Sequence, residues 1–280
     1  MMNMPNSKKS KNKAMNDKFR EWFIKPPFTV RKPILHPLIS NNPALVGTAF
    51  DYLLRFKIQY MTPNAVFHPW IAEEGLKVVS HRLKAKNYTS ESEKKDLKAW
   101  LKEGTKLLDR AKENHAKYLK DGIITTELIE SSIHLAKMDV FYRSPENIEG
   151  RIQEIDTLDV EDLRELINGV KEDQFKTKEL CILNPRFTNA ARITGVKTDA
   201  DLLLDDTLID IKTFKNLRFD REIFNQIMGY YLLSKIGGID NAPEDYKIQK
   251  VGVYYPRHEY LHIFDIESTI RIKMRLCEKY

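Results

Sequence analysis

The sequence predicts an α/β chain of the α+β kind: a mixed central sheet flanked by helices, carrying a large helical insertion. Three observations point there. Residues 200–213 read as two short apolar strands turned at Asp205-Asp206. A helical pattern over 219–236 follows, and then two alternating segments at 247–255 and 260–266. Between 64 and 180, by contrast, apolar residues recur at helical spacing with Lys and Glu between them.

In chain order, residues 1–18 are polar and rich in Lys, Asn and Ser, so they read as a disordered arm. Pro26, Pro27, Pro33 and Pro37 break any regular element up to 40. Asn42-Pro43 starts a helix, with Asn as cap and Pro in the first turn, which ends near Thr62-Pro63. Segments 70–86, 91–120, 123–142 and 159–173 follow as helices, with breaks at Ser144-Pro145 and Gly150. Lys178–Leu183 reads as a strand leading into the hairpin. Asp220 caps the helix at 219–236 and Gly237-Gly238 stops it. The strands at 247–255 and 260–266 are separated by Pro256-Arg257-His258-Glu259, and 266–280 reads as a closing helix. The organisation expected is a basic, partly disordered arm (1–40), a core built from 41–63 and 178–280, and a helical insertion (64–177).

Composition narrows the class of function. No apolar run approaches the roughly 20 residues of a membrane span, and the amino terminus lacks an apolar signal core, so a cytoplasmic protein without membrane partners is expected. Cys181 and Cys277 lie far apart in no paired motif, which argues against a disulfide framework, a zinc site or an iron–sulfur cluster. Of the net charge of +6, nine Lys/Arg against two acids fall in residues 1–40, leaving 37 basic and 38 acidic residues beyond them. Any nucleic-acid contact must use local patches or the tail. No glycine-rich phosphate loop is present, so an ATPase motor is not expected.

The hairpin carries the chemistry. With a two-residue loop, Leu204 faces Thr207, Leu202 faces Ile209, Asp201 faces Asp210 and Asp199 faces Lys212. Two carboxylates set opposite each other cost up to about 1 kcal/mol on an exposed sheet, which folding alone does not explain. A divalent cation between them does. Mg²⁺ and Mn²⁺ prefer carboxylate and carbonyl oxygens, so Asp201, Asp210 and the Ile211 carbonyl are candidate ligands, with Lys212 placed to orient water and offset charge on a phosphate.

Asp201…Asp210-Ile211-Lys212 resembles the signature of the PD-(D/E)XK nuclease superfamily. Gln226 and Tyr230, four apart on the following helix, are similar to the Gln-x-x-x-Tyr motif of its RecB-like exonuclease branch. Gly47-Thr48-Ala49-Phe50-Asp51 resembles the Gly-Thr-x-x-His start of that branch, with Asp51 in place of the His that joins the metal site. The resemblance covers roughly 43–60 and 178–280. It implies a Mg²⁺- or Mn²⁺-dependent deoxyribonuclease acting on DNA in recombination, repair, phage replication or anti-phage defence, with a helicase or annealing protein as a possible partner. Asp201 and Asp210 would bind metal, Lys212 would assist the water, and Gln226 and Tyr230 would support the site. The alternatives are a catalytically inactive nuclease-fold subunit that binds DNA or protein, and a sequence-specific restriction-type endonuclease.

Several assignments stay double. Asp51 is a third metal ligand or the i,i+4 partner of Arg55. Asp199 is an extra acid or, on charge grounds, the partner of Lys212. Asp205 and Asp206 read as turn residues. Arg186, Lys215, Arg218 and Arg221 flank the site in sequence and are candidates for phosphate contacts. The His residues show no metal-ligand spacing.

Overall fold

A computed structural model describes residues 15–143 and 152–271. The arm before 15, the breaks at Ser144-Pro145 and Gly150, Cys277 and the end of the expected closing helix lie outside the described residues. Helix α1 spans 15–22. It is followed by α2 (Pro43–Met61), β1 (Val66–Phe67), α3 (Ile71–Lys84), α4 (Glu91–Asp121), α5 (Thr126–Arg143) and α6 (Thr157–Asn168). Then come β2 (Cys181–Leu183), α7 (Thr188–Thr194), β3 (Leu202–Leu204), β4 (Thr207–Ile211), α8 (Arg221–Gly237), β5 (Lys250–Tyr255) and β6 (Tyr260–Asp265). The architecture is the mixed α/β kind expected.

The six strands form one open sheet in sequential order. β1–β2 and β4–β5 are parallel, and the other neighbours are antiparallel. The hairpin register is the expected one: Leu202 faces Ile209 and Leu204 faces Thr207. Asp205, at φ 49°, is the residue that makes this tight turn. It does more than turn the chain. Its carboxylate accepts the backbone N–H groups of Lys178, Glu179 and Leu180 at 2.9–3.2 Å, anchoring the chain that enters β2, and these bonds hold its pKa low.

The alternation of side chains sends the strands into two cores. Leu202, Leu204 and Ile209 pack with α2, α4, α5 and α6, while Ile182, Leu203, Leu208, Val251 and Val253 pack with α1 and α8. Helices of the insertion and α2 therefore share one apolar layer, and β1, inside the 64–177 block, joins the sheet.

The structure differs from the sequence expectations at the edges. Residues 15–22 are helical, and Phe19 and Phe23 are buried, Phe23 edge-on to Tyr231 at 6.4 Å. Part of the basic arm is thus packed, because two Phe residues four apart supply an apolar stripe. Residues 266–271 form a turn and a bridge rather than a helix start. Their backbone pairs with the arm through Ile24 N–H to Thr269 O at 2.7 Å and Arg271 N–H to Trp22 O at 2.8 Å. The helix expected over 159–173 ends at Asn168, with a 3-10 turn at Glu172–Phe175. Strand β1 and helix α7 were not expected at all. Asp220 caps α8 as expected, accepting from Glu222 and Ile223 N–H at 3.0 Å. Asn42 begins α2 with Pro43 in the first turn, but its side chain makes no capping bond.

The turn at 256–259 holds an ion pair. Arg257 and Asp162 are both fully buried, and the guanidinium forks onto the carboxylate at 2.8 and 2.9 Å. Arg257 Nε also donates to Thr213 O at 2.9 Å, and Nη1 to the His36 and Pro37 carbonyls at 3.3 Å. One side chain thus ties the β5–β6 turn, α6, the arm and the residue after Lys212 together.

Candidate active site

Where β3 begins and β4 ends, between the two helical layers, lies a cleft of about 770 Å³. Asp51, Asp201, Asp210, Ile211, Lys212, Gln226 and Tyr230 all line it. Each comes from a different constraint. The two-residue turn aligns Asp201 with the end of β4. Helix α8 presents Gln226 and Tyr230 one turn apart. Helix α2 brings Asp51 in from the opposite layer, and it packs close because residue 47 is Gly: a Cβ there would sit 2.7 Å from Thr213 Oγ1.

Each acid is held by a different partner. Asp201 Oδ2 accepts from Ile211 N–H at 2.6 Å. Lys212 Nζ lies 2.7 Å from Asp210 Oδ2. Oδ2 is buried, and the Lys212 ammonium is the charge that faces it. Asp51 Oδ2 pairs with Arg55 Nη2, and Asp51 Oδ1 is buried without a donor. Lys212 N–H continues the β4–β5 pairing to Tyr254 O at 2.8 Å, which fixes the backbone that carries the lysine.

Burial pushes the carboxylates up. Desolvation raises Asp210 to about 7, helped by the charge of Asp201 and opposed by Lys212. Desolvation raises Asp51 to about 7 as well, against the pull of Arg55. Asp201 is raised by burial and held back mainly by Lys212 and the Ile211 N–H. Tyr230 is pushed well above the ordinary phenol range by burial and by Asp210 and Asp201. Its hydroxyl keeps its proton while accepting from Gln226 Nε2 at 2.7 Å.

Of the alternatives left open by the sequence, Asp51 does pair with Arg55. Asp199 does not pair with Lys212. Its Oδ2 accepts from Asn184 Nδ2 at 2.8 Å, and Lys212 goes to Asp210 instead. Asn184 also accepts from Arg55 Nη1 at 3.3 Å, closing a chain Asp51–Arg55–Asn184–Asp199 along one wall. Sequence reading missed Asn184. Its only signal was the Asn-Pro dipeptide, which marks a turn, and its φ of 58° fits one. Lys215 lines the cleft. Arg218 stacks on Phe214 at 4.5 Å and lies 3.5 Å from Asp220, and Arg221 stacks on Phe224 at 5.2 Å.

Two buried carboxylate oxygens at one cleft, Asp51 Oδ1 without a donor and Asp210 Oδ2 facing the Lys212 ammonium, are hard donors that suit Mg²⁺ or Mn²⁺. They fit such an ion, with Asp201 and the Ile211 backbone beside them. The set is not closed on a common point: among the described residues, no three His, Cys, Asp or Glu side chains are grouped to hold a metal. Internal cations stand in that role, Arg55 for Asp51 and Lys212 for Asp210.

No protein-family model matches this chain, and no curated protein or solved structure does either. Among the described residues no helix is long and apolar enough to cross a membrane.

Proposed function

We propose that this chain is a divalent-metal-dependent nuclease of the RecB-like kind, hydrolysing phosphodiester bonds of DNA by direct attack of water. The observation that carries this reading is the convergence of residues 51, 201, 210–212, 226 and 230, from helix α2, the β3–β4 hairpin and helix α8, on one cleft. Asp201 and Asp210 would hold the ion, with the Ile211 carbonyl and Asp51 as further oxygen donors. When bound, Mg²⁺ or Mn²⁺ polarises the scissile phosphate and lowers the pKa of a coordinated water. Lys212, a point charge with three donors, orients the attacking water and offsets charge that develops on the phosphate oxygens. Tyr230 keeps its proton at neutral pH and so acts as a donor, and Gln226 fixes its orientation.

The test is calorimetric titration with Mn²⁺. Carboxylates must be deprotonated to bind a cation, and Asp51 and Asp210 titrate near 7. Affinity should rise from pH 6 to pH 8 by roughly tenfold for each carboxylate engaged, with protons released on binding. The sign for stability is opposite. A carboxylate whose folded pKa is raised stabilises the fold most when protonated, and that contribution is lost as pH rises through about 7. The metal-free protein should therefore lose stability as pH rises from about 4 to about 7, level off above that, and regain stability with Mn²⁺.

A second reading is a nuclease-like subunit that binds DNA or protein without cleaving. The pairing of Asp51 with Arg55 and the absence of a closed three-acid set among the described residues favour it. Titration separates the two: wild type that binds no Mn²⁺ at pH 8 sinks the enzyme reading and leaves the scaffold. Recombination, repair, phage replication and defence remain the contexts implied by the resemblance, with a helicase or annealing protein as a possible partner.

A further inference from the structure

A second pocket of about 370 Å³ adjoins the cleft, and Thr198 and Asp199 line both. The wall between them is an aromatic pair: Phe187 lines the side pocket, Tyr230 lines the cleft, and their rings stack at 6.0 Å and 8°. Arg186 and Lys197 line the side pocket, and neither makes an ion pair with an acid among the described residues. Arg186 Nη2 is tethered to Pro69 O at 2.9 Å, which fixes the guanidinium without neutralising it. Two acids line it as well: Glu74 pairs with Lys77 at 2.7 Å, and Asp199 accepts from the Asn184 amide at 2.8 Å. At the mouth stands Tyr142, a large ring 42% exposed. Lys215 lines the main cleft.

We propose that the side pocket is a nucleotide subsite for a single polynucleotide strand, holding the nucleotide next to the phosphodiester that sits over Asp201 and Asp210. The inference rests on the nuclease reading of the main cleft. A phosphate beside the scissile one meets Arg186 and Lys197, and an unpaired base stacks on Tyr142. Fixed cations along the backbone with an aromatic platform for bases are the recognition chemistry of single strands. A side pocket of this size takes one unpaired nucleotide. Stacking on Tyr142 needs a free base face, which a duplex keeps inside its own stack. Arg186 and Lys197 beside the exposed Tyr142 suit a ligand with an anionic group and a flat apolar part.

The experiment is equilibrium binding, kept apart from cleavage. Fluorescence anisotropy of an end-labelled single-stranded oligodeoxynucleotide is measured in EDTA with wild type, Tyr142→Ala, Tyr142→Phe, Arg186→Ala and Lys197→Ala. Melting curves confirm that each variant is folded. Tyr142→Ala should weaken binding by roughly 5- to 100-fold, with Tyr142→Phe close to wild type. Arg186→Ala and Lys197→Ala should each weaken it and lower the salt dependence by about one counterion. A duplex of the same sequence should bind more weakly than the single strand. Wild-type affinity in both Tyr142→Ala and Arg186→Ala, or equal affinity for duplex, overturns the subsite even if the protein cleaves DNA. These dependences in a protein that cleaves nothing would retain the strand site and remove the nuclease reading instead.

Discussion

Lys212→Ala should lower metal-supported DNA hydrolysis by about 10²–10³-fold, the usual cost of removing one preorganised charge at a developing oxyanion. The effect should fall on kcat more than on KM, because Lys212 is held 2.7 Å from Asp210 at the end of β4, where charge develops during the reaction. Lys212→Arg should not restore the rate. A planar guanidinium cannot replace a point charge held 2.7 Å from the carboxylate. The loss should coexist with retained folding. Lys212 offsets only part of the burial that raises Asp210, and protonation of Asp210 can take over its neutralisation. Steady-state kinetics on a defined oligonucleotide read this directly. A Lys212→Ala protein cleaving at the wild-type rate would remove Lys212 from the chemistry.

Asp162→Ala should be the most damaging single substitution for stability. It strands the Arg257 guanidinium in a site with no solvent exposure. Breaking a buried pair from one side typically costs about 3–5 kcal/mol, which for a chain of this size lowers the midpoint by roughly 6–20 °C. Asp162 also accepts from Ser40 N–H at 3.2 Å, so the chain entering α2 loosens at the same time. The pair reaches the candidate site through Arg257 Nε and Thr213 O, one residue beyond Lys212. Urea unfolding should show the loss. The double change Asp162→Leu with Arg257→Met should cost less than Asp162→Ala, since an apolar pair leaves no charge to desolvate. Equal stability of Asp162→Ala and wild type would mean that the buried pair does not hold the fold.

Local signals carried the parts of the site that the sequence made legible. A two-residue turn fixes a register by counting, so the placement of Leu202 against Ile209 followed from Asp205-Asp206. One helical turn puts Gln226 and Tyr230 together, and their hydrogen bond was within reach of spacing alone. What stayed hidden depends on partners far apart in sequence. Asp199 takes Asn184 rather than Lys212 because the chain before β3 bridges back to Arg186. Arg257 and Asp162 are 95 positions apart, and nothing in a turn reading as Pro-Arg-His-Glu marks its Arg as fully buried. The two residues of β1 are too few to show alternation. Helix α7 has seven residues, and it ends at Gly195 in the left-handed region. The packing of α1 needed the position of Tyr231 on α8, which only the fold supplies.

The most direct test of the central claim is cleavage of end-labelled linear and circular DNA, single-stranded and duplex. Wild type is compared with Asp210→Asn in Mg²⁺ or Mn²⁺, and wild type alone is repeated in EDTA. Asp210 is chosen because its buried carboxylate lies on β4 in the cleft, with Lys212 at 2.7 Å. A metal-dependent nuclease cuts at least one of these substrates with the ion present and none in EDTA, and Asp210→Asn leaves them intact. Equal cutting by Asp210→Asn, cutting that persists in EDTA, or no cutting of any substrate by folded wild type would contradict it.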